Sequence, residues 1–264
     1  MSNWSADLEL ALTLAAAADD ISLDRYESAD LRIDTKPDRS FVTDADQAVE
    51  ARIRELIAHA HPDDAFYGEE TGTSGSGQRR WIVDPIDGTS NFLRGVPVWG
   101  TLIALAVADE PVVGVVSAPA LGMRWWAERG GGAWKSTRGG EPVQMRVSGV
   151  TELAEASMSF QSIAQWRDAG YLDRLLALSE KLWRDRAYGD VWPYMLLADG
   201  RVDIVAEFGV QPYDIAALIP IVQEAGGRFT SVAGEIGPWH GSALATNGEL
   251  HEAVLARLRA ERSV

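Results

Sequence analysis

Two carboxylates at the end of an apolar run offer the most distinctive chemistry in this chain. Between Trp81 and Phe92 a hydrophobic strand leads into Asp84 and Asp87, three residues apart, followed at once by Gly88 and Thr89. Pro85 biases Asp84 towards an extended backbone, so Asp84 belongs at the strand end and Asp87 in the turn beyond it, where both can converge on one hard cation. Gly88 permits a tight turn. If a helix starts there, the amides of Gly88 and Thr89 face the same space, as helix N-termini do when they hold phosphate. Taken by itself, the stretch also reads as a strand followed by Asp-Pro and Asp-Gly turns. Acids cluster at three further element ends, however: Glu69 and Glu70 after Gly68, Asp44 and Asp46 after Thr43, and Asp214 after Tyr213. Four such clusters fit a shared metal and phosphate site better than four solvated turns.

The elements that must position these residues are legible in the apolar periodicity. Leu8, Leu10, Ala11, Leu14, Ala15 and Ala18 predict an amphipathic helix ending near Tyr26, with Ser5 as N-cap. A second helix follows Thr43, with Val49, Ile53, Leu56 and Ile57 on its apolar face. Short strands are expected at 65–68 and 80–83, and the runs 101–108 and 112–117 read as an antiparallel hairpin. Strands at 123–128 and 133–136, on either side of Gly130, Gly131 and Gly132, extend that sheet. Beyond Val150 short strands alternate with helices: strands near 157–160, 184–187, 203–206, 228–231 and 242–246, and helices at 171–183, 191–199, 214–225 and 248–261. The expected organisation is an N-terminal α+β subdomain, 1–150, carrying most of the acids, and a C-terminal α/β subdomain, 151–264. Pro220 lies six residues past Asp214 inside an apparent helix. A kink or a late helix start is expected there.

Composition narrows the function classes. The chain of 264 residues carries 24 Lys and Arg against 39 Asp and Glu, a formal charge of −15, which argues against nucleic acid or an anionic membrane as partner. Cysteine is absent, which excludes thiol nucleophiles, disulfides and thiolate metal sites. The opening residues form no basic leader, and no apolar run approaches the roughly 20 residues of a membrane span. A soluble cytoplasmic protein is expected. Gly75, Ser76 and Gly77 are not followed by the Lys-Ser or Lys-Thr of a phosphate-binding P-loop. His59, His61, His240 and His251 have no zinc-ligand spacing and read as surface residues.

The stretch 84–92 resembles the first signature of the inositol-monophosphatase superfamily, and Asp214 to Gly227 resembles its second, with Tyr213 where Trp is usual. Gly68-Glu69-Glu70, residues 42–46 and residues 186–190 match further positions of that superfamily. The resemblance implies a layered αβαβα sugar-phosphatase fold and hydrolysis of a phosphate monoester with two or three Mg²⁺. It further implies Glu69, Asp84, the Ile86 carbonyl, Asp87 and Asp214 as metal ligands, with Asp44 able to help hold a further metal. Asp46 and Thr89 resemble the pair that positions the attacking water, and Gly88, Thr89 and Asp214 line the substrate. A homodimer is the assembly the resemblance implies. Mg²⁺ suits this donor set, since it takes carboxylate, carbonyl, water and phosphate oxygens.

Substrate choice is expected from the second half. Inositol phosphatases generally resemble Gly-Thr or Gly-Ser where this chain has Gly189 and Asp190. An acid suits an ammonium group better than a neutral polyol. Glu207 aligns with a position that contacts substrate away from the phosphate. Residues 34–46 and 186–190 resemble the bacterial histidinol-phosphatases of the superfamily, so Asp190 and Glu207 are expected to bind the amine and imidazole side of L-histidinol phosphate. The alternatives are an inositol-1-phosphate phosphatase, then a 3′-phosphoadenosine-5′-phosphate phosphatase or a fructose-1,6-bisphosphatase. Outside catalysis they are a metal-binding regulatory module or an acidic interaction protein. Asp190 can instead cap a helix starting at Val191, and Glu207 can be a solvated strand end. Trp99, Trp125 and Trp126 read as core or interface rather than as a ligand wall. Lys36, on the loop leading to the acids, and Arg186 carry no assigned role.

Overall fold

The computed structural model describes residues 4–36 and 41–259. In its first half the chain forms α1 (Ser5–Arg25), β1 (Ile33–Thr35), β2 (Phe41–Thr43), α2 (Asp44–Ala60), β3 (Ala65–Gly68), β4 (Gly72–Ser74), β5 (Arg79–Asp87), α3 (Thr89–Leu93), β6 (Gly100–Val107), β7 (Glu110–Ala118), β8 (Met123–Glu128), β9 (Ala133–Thr137) and β10 (Val143–Gln144). The second half adds β11 (Ser157–Ser159), α4 (Ile163–Asp168), α5 (Leu172–Ser179), β12 (Arg184–Arg186), α6 (Trp192–Ala198), β13 (Ile204–Phe208), α7 (Pro212–Ile215), α8 (Leu218–Glu224), β14 (Arg228–Thr230), β15 (Ser242–Thr246) and α9 (His251–Arg259). Strands β3 to β10 make one sheet in the order β10-β9-β8-β7-β6-β5-β3-β4, in which only β3 and β5 run parallel. The second sheet has the order β12-β11-β13-β15-β14.

Side-chain alternation sorts these elements into five layers. On β5, Trp81 and Val83 face α1 and α2, where they pack with Leu14, Ile53 and Ile57. Ile82 points to the opposite face, towards Tyr194 and Met195 of α6 and Leu218, Ile221 and Val222 of α8. That helical layer also covers Val205, Ala243 and Ala245 of the second sheet. The far face of the second sheet, with Met158, Ile204 and Leu244, packs on Trp166, Leu175, Leu178 and the α9 residues Val254, Leu255 and Leu258. The order of layers is therefore α, β, α, β, α, as expected. Asp84 shares the register parity of Ile82 and so faces the middle helical layer.

Several local expectations are revised. The N-cap of α1 is Trp4 and not Ser5, which is already helical, and no side chain caps that end. At α2 the capping chemistry is present: Thr43 Oγ1 accepts from the amides of Ala45 and Asp46, while Asp46 Oδ2 accepts from the Thr43 amide at 2.7 Å. Strand β5 continues past Val83 to Asp87, with an irregularity between Asp84 and Asp87 around Pro85. The helix read at 214–225 is two helices, α7 and α8, and Pro220 sits in the first turn of α8, where its missing amide breaks no intrahelical bond. The helix read at 171–183 is confined to Leu172–Ser179, and the last helix starts at His251; positions 260 and 261 lie outside the described residues. Asp190 caps nothing, since Val191 is the N-cap of α6 and Asp190 has φ +52°.

His251 is not a surface residue. It is fully buried, with Nε2 3.1 Å from Thr230 Oγ1 and Nδ1 3.1 Å from Thr246 Oγ1. Where β7 crosses the helical layer, a Cβ on Gly114 would overlap the Ala217 carbonyl and lie 2.7 Å from Pro220 Cγ. This close approach fixes the junction of α7 and α8 directly after Asp214.

Candidate active site

The acids singled out above come from four separate elements. Asp84 and Asp87 close β5, Asp214 lies in the first turn of α7, and oxygens of all three fall within 4.8 Å of one another. Asp214 Oδ2 is oriented by the Gln211 amide at 2.6 Å and Asp87 Oδ2 by the Val191 amide at 2.6 Å. Asp84 Oδ1 is buried with no hydrogen-bond partner among the described residues. Glu69, just beyond β3, and Glu70 both reach Lys36 Nζ at 2.8 Å. Their turn is held from beneath by Glu50, whose carboxylate accepts from the Glu70 amide at 2.8 Å, the Thr71 amide at 2.9 Å and the Thr71 hydroxyl at 2.6 Å. Gly68 passes so close to that carboxylate that a Cβ there would collide with it.

Asp46 is buried at the start of α2, with Oδ2 committed to Thr43 and Oδ1 turned to the Thr89 hydroxyl at 3.5 Å. Thr89 Oγ1 also donates to the Ile86 carbonyl at 3.0 Å. Gly88, at φ +82°, starts α3 in the left-handed region, which lets the chain turn there without strain. Asp44 Oδ2 pairs with Arg25 at 2.9 Å and Arg32 at 3.4 Å, while its Oδ1 is buried with no hydrogen-bond partner among the described residues.

Beside the acid cluster lies a cavity of about 190 Å³ lined by Asp87, Asp190, Glu207 and Asp214, together with Gln161, Gln165 and Tyr194. Asp190 is held there by carboxamides on both sides: Gln161 Nε2 donates to Oδ1 at 2.9 Å and Asn91 Nδ2 to Oδ2 at 2.8 Å. Gln161 Oε1 also accepts from the Asp190 amide at 2.5 Å, which fits the left-handed backbone of that residue. Glu207 is buried, and its Oε1 has no partner among the described residues. A larger cavity, about 650 Å³, lies beside α5 and contains none of these acids.

Burial and mutual repulsion dominate the electrostatics. Loss of hydration, reinforced by neighbouring acids, pushes Asp84, Asp87 and Glu207 well above the usual carboxylate range. The same loss raises Asp46 to about 6 and Asp214 to about 7, against the hydrogen bonds that favour their ionised forms. Burial likewise carries Glu70 to about 7, although Lys36 draws it down. Lys36 answers Glu69 and Glu70, but Asp84, Asp87 and Glu207 have no cationic partner among the described residues, so the cluster calls for a cation from outside.

A family model described as the inositol monophosphatase family matches residues 3–263. The chain belongs to the inositol monophosphatase family. It is 54% identical to a histidinol-phosphatase of Mycobacterium tuberculosis over 96% of this chain and 98% of that one. A histidinol-phosphatase of Streptomyces coelicolor is 48% identical over 98% of each. Among solved structures, the extragenic suppressor protein suhB of Bartonella henselae superposes with a TM-score of 0.88 at 28% identity, covering 98% of this chain and all of the other.

In this member of the inositol monophosphatase family the site holds more than its sequence announces. Asn91 contacts Asp190, Gln161 and Tyr194 belong to the cavity, and Glu50 supports Glu69, yet the sequence marks none of them as functional. Asn91 lies within the first signature and is recoverable from it; Gln161 and Tyr194 carry no local signal. Tyr213, in place of the family's Trp, packs edge-on against Tyr67 at 5.9 Å. Trp99 and Trp125 are buried in the core and Trp126 packs partly buried beside it. Arg186 is exposed and donates to its neighbour's carbonyl, Asp185 O.

Proposed function

We propose that this chain is a Mg²⁺-dependent phosphomonoesterase that converts L-histidinol phosphate to L-histidinol and inorganic phosphate. The observation that carries the substrate is the placement of Asp190 and Glu207, two carboxylates without a cationic partner, in a cavity that adjoins the acid cluster. The names of the two histidinol-phosphatase relatives support the same reading. The donor set at Asp84, Asp87 and Asp214 is all carboxylate and the orphaned Asp84 Oδ1 is available to a cation, which fits Mg²⁺; we assign Glu69 and the Ile86 carbonyl as its further oxygen ligands. Mg²⁺ held there supplies positive charge to the phosphoryl oxygens and acidifies water.

The chain's own residues do the rest. Thr89 Oγ1 orients the attacking water and takes its proton as its own proton passes to Asp46 Oδ1, which burial makes a better base than an exposed aspartate. Thr43 holds the other Asp46 oxygen, so the base cannot turn away. The amides of Gly88 and Thr89 face the transferred phosphate. Asp190 and Glu207 receive the ammonium and imidazole groups of the leaving alcohol, which fixes the ester oxygen in line with the attack. As the water oxygen bonds to phosphorus the ester P–O bond breaks, and the departing alkoxide takes a proton from solvent to leave as the alcohol. A homodimer in the cytoplasm is the assembly and setting we assign to this activity.

The test is initial-rate phosphate release with Mg²⁺ from L-histidinol phosphate and from inositol 1-phosphate, with Asp87→Asn as the blank. Wild-type protein should prefer histidinol phosphate. Asp190→Ala should lower that preference by about 10- to 100-fold, the worth of one hydrogen bond to a charged group. An unchanged preference in Asp190→Ala, or a wild-type preference for the inositol ester, would overturn the substrate assignment.

A further inference from the structure

The cavity beside the acid cluster contains more unanswered hydrogen-bonding capacity than its two carboxylates. Tyr194 Oη, Gln165 Oε1 and Glu207 Oε1 are all buried, all line this one cavity, and none has a hydrogen-bond partner among the described residues. An unmatched buried polar atom is costly, so three around one space imply a ligand that answers them. Their chemistry is complementary. Gln165 Oε1 only accepts, as does a carboxylate that has taken up a cationic amine beside it, and the Gln161 amide is already committed to Asp190. Tyr194 therefore supplies the buried, uncommitted O–H donor.

The ring of Tyr194 is well placed for that task. It lies in α6, directly after the turn that carries Asp190, and its side chain stacks on Phe229 with ring centroids 5.7 Å apart and planes 19° from parallel. That packing fixes the hydroxyl at the wall of the cavity it shares with Glu207, Asp214 and Asp87. An ammonium group has three donors and no acceptor, so it can give a hydrogen bond to the phenol oxygen but leaves the phenol hydrogen without an acceptor. A neutral imidazole has one N–H and one bare nitrogen, and so can answer a donor and an acceptor at once.

We propose that Tyr194 is a specificity-determining residue, whose phenol donates to the unprotonated ring nitrogen of the substrate imidazole while Glu207 Oε1 accepts from the ring N–H. Asp190 then receives the ammonium group. The inference rests on the histidinol phosphate reading and assigns its ring to named atoms.

The experiment compares wild type with Tyr194→Phe on L-histidinol phosphate and on O-phosphoethanolamine, an amino-alcohol phosphate that lacks the ring. The ratio of kcat/KM values, histidinol phosphate over phosphoethanolamine, should fall about tenfold in the variant, mostly through KM. The ligand-free unfolding midpoint should stay level or rise, because the deleted hydroxyl has no protein partner to lose. An unchanged ratio would overturn the assignment. So would a lowered midpoint with equal losses on both substrates, which would mark the hydroxyl as structural. Both of those outcomes leave the proposed reaction standing, whereas a wild-type enzyme that does not prefer histidinol phosphate over phosphoethanolamine removes the reaction and the inference together.

Discussion

Acidification should unfold this protein in part through one buried imidazole. Thr230 Oγ1 directs its own proton to the Ser231 carbonyl at 2.7 Å, so it can only accept from His251 Nε2–H. Thr246 Oγ1 accepts from the Gly248 amide at 3.1 Å and gives its proton to Nδ1. The neutral tautomer satisfies every partner, whereas a proton on Nδ1 would leave the Thr246 hydroxyl hydrogen without an acceptor. Burial, with Arg228 and Arg259 adding repulsion against the attraction of Glu252, lowers the imidazole from 6.5 to about 4. The sign follows from proton counts: between those values the unfolded chain binds the proton and the folded chain does not, so stability rises with pH across the window and is lost on acidification. At 1.36 kcal/mol per pH unit, the loss reaches about 2.5 kcal/mol by pH 4.5. Urea denaturation of wild type and His251→Gln at pH 7.5, 6.5, 5.5 and 4.5 isolates it, because the carboxylates titrate in both proteins. Wild type should lose about 2.5 kcal/mol more than the variant across that range. Parallel profiles would refute the reasoning.

Two further perturbations address the scaffold of the site. Glu50→Ala removes three hydrogen bonds beneath the turn that carries Glu69, and should raise the Mg²⁺ concentration for half-maximal activity by about 10- to 100-fold, the usual cost of losing a partner that orients a ligand; a magnesium titration of phosphate release that coincides with wild type would contradict it. Gly114→Ala forces a methyl group into the Ala217 carbonyl and Pro220, and should destabilise the fold by about 1–3 kcal/mol, read as a lowered unfolding midpoint.

Much of the site is legible in the amino-acid sequence because its chemistry is local. Asp84, Asp87 and Gly88 stand within one strand and turn, and Thr43 and Asp46 within one capping box, so residue type and spacing carry the information. What escapes the sequence depends on distant partners. Gln161 and Asn91 meet at Asp190 across 29 and 99 residues, and no periodicity announces such a meeting. The pair β1 and β2 is short, and β1 is exposed throughout, so neither strand presents an alternation to read. His251 reads as a surface residue at a helix start because only the docking of α9 against Thr230 and Thr246 buries it. Pro85 and Asp87 resemble a turn and so suggest that β5 ends near Val83, yet pairing with β6 carries the strand to Asp87.

The cavity also decides what must stay outside. Among the described residues no lysine or arginine lines it, while Asp87, Asp190, Glu207 and Asp214 do. A substrate with a second phosphate on its leaving group would bring that anion against carboxylates that already repel one another, at a cost of several kcal/mol for like charges. Sugar bisphosphates and nucleotide bisphosphates are thereby disfavoured by field alone, before any question of shape. With Asp190 and Glu207 as the receivers of an amine, the same two acids should act as an electrostatic filter that lowers activity on doubly phosphorylated substrates.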